Sequence, residues 1–182
     1  RLGHALLSAA NKGHDGVIEM LKTHPNYINI SVCPLGDALR EAANKGHAGV
    51  IKELKSYRNF NNIPADWLRV ALREAAKGGY IDVIKELMSH PKYNEIPTTG
   101  EFGLGLALFQ AAVNGHLRSV EELIGCDKFS VQGQFGFGAA LREAVENGHI
   151  DVIKELMSHP SFNNISANGA DEYGLGAALG EA

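Results

Sequence analysis

The chain has 182 residues, 45% apolar and 21% charged, with 17 basic against 21 acidic side chains for a net charge of −4. It is too apolar for a disordered chain and too acidic for a nucleic-acid-binding face or a polybasic anchor, and no apolar run approaches the roughly 18 residues of a membrane span. Two cysteines, Cys33 and Cys126, form no CxxC pair and cannot staple a scaffold, which points to a reduced, intracellular or cytoplasmic setting.

One phrase recurs along the chain: HALLSAANKGHDGVIEML from His4, DALREAANKGHAGVIKEL from Asp37, VALREAAKGGYIDVIKEL from Val70, LALFQAAVNGHLRSVEEL from Leu106 and AALREAVENGHIDVIKEL from Ala139. Its first alanine stands at Ala5, Ala38, Ala71, Ala107 and Ala140, spaced 33, 33, 36 and 33 residues apart, and a sixth copy opens at Ala178. Within each copy the apolar spacing is helical: Leu39 with Ala42 and Ala43, then Val50 and Ile51 with Leu54. The glycine between the halves (Gly13, Gly46, Gly79, Gly115, Gly148) sits where a first helix must stop, a place that favours the left-handed conformation. Each copy therefore reads as helix, turn, helix, with halves of about 9 and 10 residues that are too short to stand alone in water. Stacked neighbours supply the missing apolar partner, which predicts an all-α helix–turn–helix repeat solenoid of five units plus the start of a sixth. The units span about 2–34, 35–67, 68–103, 104–136 and 137–174, with a partial one at 175–182. The abrupt first and last copies read as a fragment of a longer chain. Alanine-rich first helices allow close approach and belong on the inner, concave side.

The residues that carry chemistry elsewhere have simpler readings in this pattern. His14, His47, His116 and His149 share one register with Tyr80, and tyrosine is a poor substitute for a zinc ligand; no HExxH or Cys/His ligand spacing is present. The glycine clusters Gly100–Gly105 and Gly133–Gly138 reverse the order of a phosphate loop, lack GK[ST], and read as turns in protruding loops. Cys33 and Cys126 lie near structural histidines only, so a thiol hydrolase has little support. The Lys52/Glu53, Lys85/Glu86 and Lys154/Glu155 pairs read as a solvated outer surface. No catalytic, cofactor-binding or metal residues are assigned.

The phrase A-L-x-x-A-A-x-x-G-H followed by V-I-x-x-L, seen at Ala38–Leu54 and in the other copies, resembles the ankyrin repeat over essentially the whole chain. It departs in lacking Thr-Pro-Leu-His at the start of the first helix, and in ending units with His24-Pro25, His90-Pro91 and His159-Pro160. Similar endings occur in divergent ankyrin repeats of intracellular bacteria. The resemblance implies no enzyme but a monomeric protein-binding module, such as the recognition part of a bacterial effector in the host cytoplasm. The alternative is a non-catalytic targeting domain of an enzyme whose active site lies outside this chain. By the same resemblance, the partner lies in a concave groove lined by inner-helix and finger positions: Arg40, Glu41, Lys45, Trp67, Arg73, Glu74, Lys77, Phe102, Phe109, Gln110, Asn114 and Phe135. Trp67 and Phe102 are the expected exposed anchors, the alternative being that such aromatics seal neighbouring repeats. The Arg40–Glu41 and Arg73–Glu74 alternation is either part of the partner surface or a ladder across repeats.

Overall fold

A computed structural model describes residues 2–97, 104–125, 136–160 and 162. Ten α-helices and no strand are found among the described residues. They come in pairs: α1 (Leu2–Lys12) with α2 (Asp15–Leu21), α3 (Val32–Lys45) with α4 (Ala48–Leu54), α5 (Ala65–Gly78) with α6 (Ile81–Met88), α7 (Gly105–Val113) with α8 (Leu117–Ile124), and α9 (Phe137–Glu146) with α10 (Ile150–Ser158). The all-helical class and the pairing expected from the repeat are thus present. Short 3-10 turns at Tyr27–Asn29, Phe60–Asn62 and Pro91–Glu95 follow the first three pairs.

Two compact units make up the fold, one of Arg1–Ala75 with Asp82–Ile96, the other of Ala76–Ile81 with the described residues from Pro97 on. In the first, α1 packs on α3 and α2 on α4, so like helices stack on like. Ala9, Ala10, Ala42 and Ala43 are buried, with Leu6 and Leu39 alongside; side chains this small let first helices approach closely. Ile18, Val50, Ile51 and Leu54 fill the space towards the second helices. The second unit repeats the scheme, α7 on α9 and α8 on α10, around Leu108, Ala111, Val120, Leu123, Phe137, Leu141 and Leu156.

The turn glycines behave as the sequence requires. Gly46 has φ +77° and closes α3 with two bonds, its own N–H to the Ala43 carbonyl (3.3 Å) and the His47 N–H to the Ala42 carbonyl (2.8 Å). That Schellman pair satisfies two carbonyls the helix end leaves free, and only glycine takes the φ without strain. The following histidine opens the second helix but does not cap it with its side chain.

Two first helices start earlier than expected. α3 and α5 are 14 residues long, so the expected boundaries at 34/35 and 67/68 fall inside helices. Pro34 is no obstacle, because a first-turn residue donates no intrahelical bond. Trp67, expected on a finger, lies in the first turn of α5. Gly105 and Gly138, read as loop turns, are likewise helical, while Gly100, Gly103 and Gly133 lie outside the described residues. The second helices also differ from expectation: Lys22 pairs with Glu53, and Lys55 with Glu86 and Ser89 Oγ (2.8 Å). Glu53 and Glu86 are therefore bridges between consecutive outer helices, and Lys52, though 64% exposed, also lies 3.9 Å from Glu86.

Candidate functional site

Arg40, Glu41, Lys45, Trp67, Arg73 and Glu74 all fall in the first unit, on α3 and α5. Arg40 pairs with Glu41 at 2.8 Å, and Arg73 Nε donates to Glu74 Oε1 at 3.1 Å. Arg142 and Glu143 repeat the arrangement in the second unit at 2.9 Å. Each arginine thus pairs with its sequence neighbour on its own helix, so these ion pairs are not rungs between repeats. Their glutamates are 17–19% exposed, the arginines of the first unit 42% and 37%. Half-exposed pairs contribute little to stability, which leaves both guanidinium groups available to an outside carboxylate.

Trp67 is half-buried, and its ring lies on Gly36 of the preceding repeat, where a Cβ would come within 2.7 Å of it. The same register one repeat earlier carries the same fit on a smaller scale: a Cβ on Gly3 would meet Pro34 at 3.0 Å. Trp67 is therefore an inter-repeat packing residue with one exposed edge, not the free anchor expected. That edge lines a shallow cleft of about 240 Å³ together with Arg40, Asp66, Arg69 and Val70. Sequence reasoning missed Asp66, Arg69 and Val70. A signal was available, because Arg69 occupies the register that Gly3, Gly36, Gly105 and Gly138 hold in the other repeats.

Lys77, Phe109, Gln110 and Asn114 belong to the second unit. Lys77 is exposed and its carbonyl faces His116 Nε2 at 3.0 Å. Phe109 and Gln110 are half-buried on α7. The Asn114 amide donates to the Gln110 carbonyl at 2.8 Å, capping the end of α7, and Asn147 does the same for α9. Phe102 and Phe135 lie outside the described residues, as does Cys126.

The histidines act as structural ties. His47, His116 and His149 each place Nε2 near a main-chain carbonyl of the preceding repeat, at Asn11 (3.3 Å), Lys77 (3.0 Å) and Val113 (2.9 Å). Tyr80 takes another course: a Cβ on Gly78 would lie 2.3 Å from its ring. Glycine at 78, where other repeats carry Lys or Asn, is thus matched to tyrosine at 80.

His90 is buried, with Nε2 towards the Phe60 carbonyl (3.1 Å) and Nδ1 accepting the Lys92 N–H (3.1 Å). One nitrogen donates and the other accepts, so the ring is held neutral. Burial, aided by the cationic Lys92 and Lys55, holds its pKa below the usual histidine value against the opposing pull of the Phe60 carbonyl and Glu95. The unfolded chain then binds a proton at higher pH than the folded one. The stabilisation is complete above the unfolded histidine pKa, about 6.5, and is lost as pH falls through it towards the folded value. His90→Gln should accordingly show a smaller loss of melting temperature than the wild type between about pH 7.5 and 5, measured by circular dichroism; equal losses would show that His90 is not the group responsible.

Tyr57 holds the register of His90 one repeat earlier. Its hydroxyl donates to the Ile18 carbonyl at 3.2 Å, and burial, with Glu53 and Tyr27 nearby, pushes its pKa up to about 12.

No protein-family model matches the chain, and no curated protein matches it. The described residues hold no group of three or more His, Cys, Asp or Glu side chains able to bind a metal, and no helix long and apolar enough to cross a membrane.

Proposed function

We propose that this chain is an ankyrin-type protein-recognition module that binds a protein partner along the faces of its first helices. The observation that supports it is the contrast between two sets of positions on the same helices. The buried register is nearly constant from repeat to repeat, with Ala38, Leu39, Ala42 and Ala43 matched by Ala71, Leu72, Ala75 and Ala76. The half-exposed register beside it is rich in arginine and aromatic side chains, the types that dominate binding energy at interfaces. The cleft beside Trp67 adds apolar lining from Trp67 and Val70 in the company of Arg40 and Arg69. Because packing fixes these helices beforehand, little ordering on this side opposes association. A partner side chain that is apolar at its tip and flanked by carboxylates suits the cleft. Recognition in a host cell, as part of a bacterial effector, and targeting of an enzyme elsewhere in a longer chain are two settings for the same surface.

The test compares the wild type with Arg40→Ala/Arg73→Ala for capture of partners, identified by mass spectrometry. Both side chains are exposed enough for the melting temperature to stay within about 2 °C. Loss of a protein that the wild type enriches supports this surface; undiminished capture of every enriched protein removes it. Trp67→Ala is the wrong probe, since stripping the ring from Gly36 should itself destabilise the first unit.

A further inference from the structure

The residue just before each turn glycine changes along the chain. It is Lys12, Lys45 and Gly78 in the first three repeats but Asn114 and Asn147 in the fourth and fifth, which makes two of these turns Asn-Gly pairs. A third such pair, Asn168–Gly169, lies outside the described residues. Asn114 and Asn147 are exposed, and each closes its first helix. The Asn114 side-chain amide donates to the Gln110 carbonyl and that of Asn147 to the Glu143 carbonyl, both at 2.8 Å. The next main-chain amide is engaged as well: the Gly115 N–H donates to the Ala112 carbonyl (3.2 Å) and the Gly148 N–H to the Val145 carbonyl (3.0 Å).

An Asn-Gly pair carries chemistry of its own. The nitrogen of the following residue attacks the asparagine Cγ, and glycine, with no Cβ, leaves that approach unobstructed. Closing the five-membered ring needs the Cα–Cβ bond and the next C–N bond nearly eclipsed. With ψ at 4° for Asn114 and 0° for Asn147, these bonds are far from eclipsed, and ψ must turn through more than a right angle. That rotation breaks both hydrogen bonds of the turn. At Asn114 it also moves Gly115 from under the His149 ring, whose Nε2 meets the Val113 carbonyl at 2.9 Å. The folded turn is therefore unreactive, and reaction waits for the local opening that helix ends undergo more readily than helix middles.

We propose that Asn114 and Asn147 are sites of spontaneous modification by water, converted to aspartate and isoaspartate at a rate set by the opening of these two turns. In the open turn the Gly115 nitrogen bonds to Asn114 Cγ, its proton passes to solvent, and the side-chain nitrogen leaves as ammonia. Water then opens the cyclic imide: cleavage between nitrogen and Cγ gives aspartate, and cleavage between nitrogen and the main-chain carbonyl carbon gives isoaspartate. No oxidant or reductant takes part. Neither product restores the turn. Aspartate sets a carboxylate against the Gln110 carbonyl that the amide had served, and places negative charge at a helix C-terminus; at Asn147 the exposed Glu146 adds to it. Isoaspartate adds a methylene to the main chain beside Gly115, so the glycine no longer fits under His149. Each opening that reacts is thus recorded as a permanent loosening of the turn. These sites are independent of the first-helix surface proposed above.

The test incubates the full chain at constant neutral pH and maps it by mass spectrometry, trypsin placing Asn114 and Asn147 in separate peptides, 93–118 and 143–154. Synthetic peptides of residues 109–118 and 142–151, too short to hold a helix in water, give the rates without the turn. Both sites should convert in the folded chain, roughly tenfold more slowly than in the peptides, because two hydrogen bonds must break first. His149→Ala should speed conversion at Asn114 several-fold. A folded chain that keeps both asparagines while the peptides convert overturns the proposal, as does a folded chain that converts as fast as the peptides. So does a His149→Ala chain, folded by circular dichroism, that converts Asn114 no faster than the wild type. Should His149→Ala fail to fold, a urea series below the unfolding midpoint carries the test: conversion rising before the circular dichroism falls supports gating by the turns, and a flat rate overturns it.

Discussion

Leu54→Ala should lower the unfolding free energy by about 2–5 kcal/mol, the range for buried leucines cut back to alanine. Leu54 is fully buried at the end of α4, a helix of seven residues that has no stability of its own. α4 packs on α2 and α3, and Leu54 belongs to the same buried stripe as Val50 and Ile51. Truncation therefore removes transfer free energy, opens a cavity, and loosens the helix that carries Glu53 to Lys22. Urea titration followed by circular dichroism reads the effect as a lower midpoint. A loss below about 1 kcal/mol would mean that α4 is not held by this packing. Lys52→Ala on the same helix is the control, since that side chain is 64% exposed and its loss should change little.

Much of this architecture was legible because a repeated signal averages out local ambiguity. A single Ala-Ala pair says little, but Ala42/Ala43 and Ala75/Ala76 at one register, each followed by glycine, fix both the buried side and the stop. All five turn glycines have positive φ. What sequence reasoning could not supply were contacts set by neighbours 30 to 39 residues away. Glu53 looks like a solvent-facing residue until Lys22 is placed beside it, and His90 is legible only as a recurring unit ending until its two nitrogens are matched to the Phe60 carbonyl and the Lys92 amide. Trp67 was misread for a related reason. Its departure from the pattern suggested an exposed anchor, when the glycine at Gly36 was the cue that a ring would lie there. Ser119 shows the limit of pattern reading: it stands where the other repeats have valine, fully buried with an unpaired hydroxyl, and nothing in the structure explains it. The candidate surface was legible only as a set of registers, because a partner's identity is written in side chains that packing does not constrain.

Gly115→Ala and Gly148→Ala separate backbone strain from the histidine tie. Both glycines have φ +70°, so both substitutions carry the left-handed penalty of about 1–2 kcal/mol. Around Gly148 a Cβ meets nothing within 4 Å among the described residues, whereas at Gly115 it would lie 2.6 Å from His149 Nδ1. The ring must then withdraw and give up the Val113 carbonyl at 2.9 Å. Gly115→Ala should therefore cost at least about 1 kcal/mol more than Gly148→Ala, the worth of a hydrogen bond lost from a packed site. In a His149→Ala background that excess should vanish, and the two substitutions should become equal. If the excess survives, the glycines serve the turn alone. Its disappearance would make the ring-on-glycine fit the device that sets the spacing between α7 and α9, and with it the placement of Phe109 and Gln110 on the second unit's candidate face.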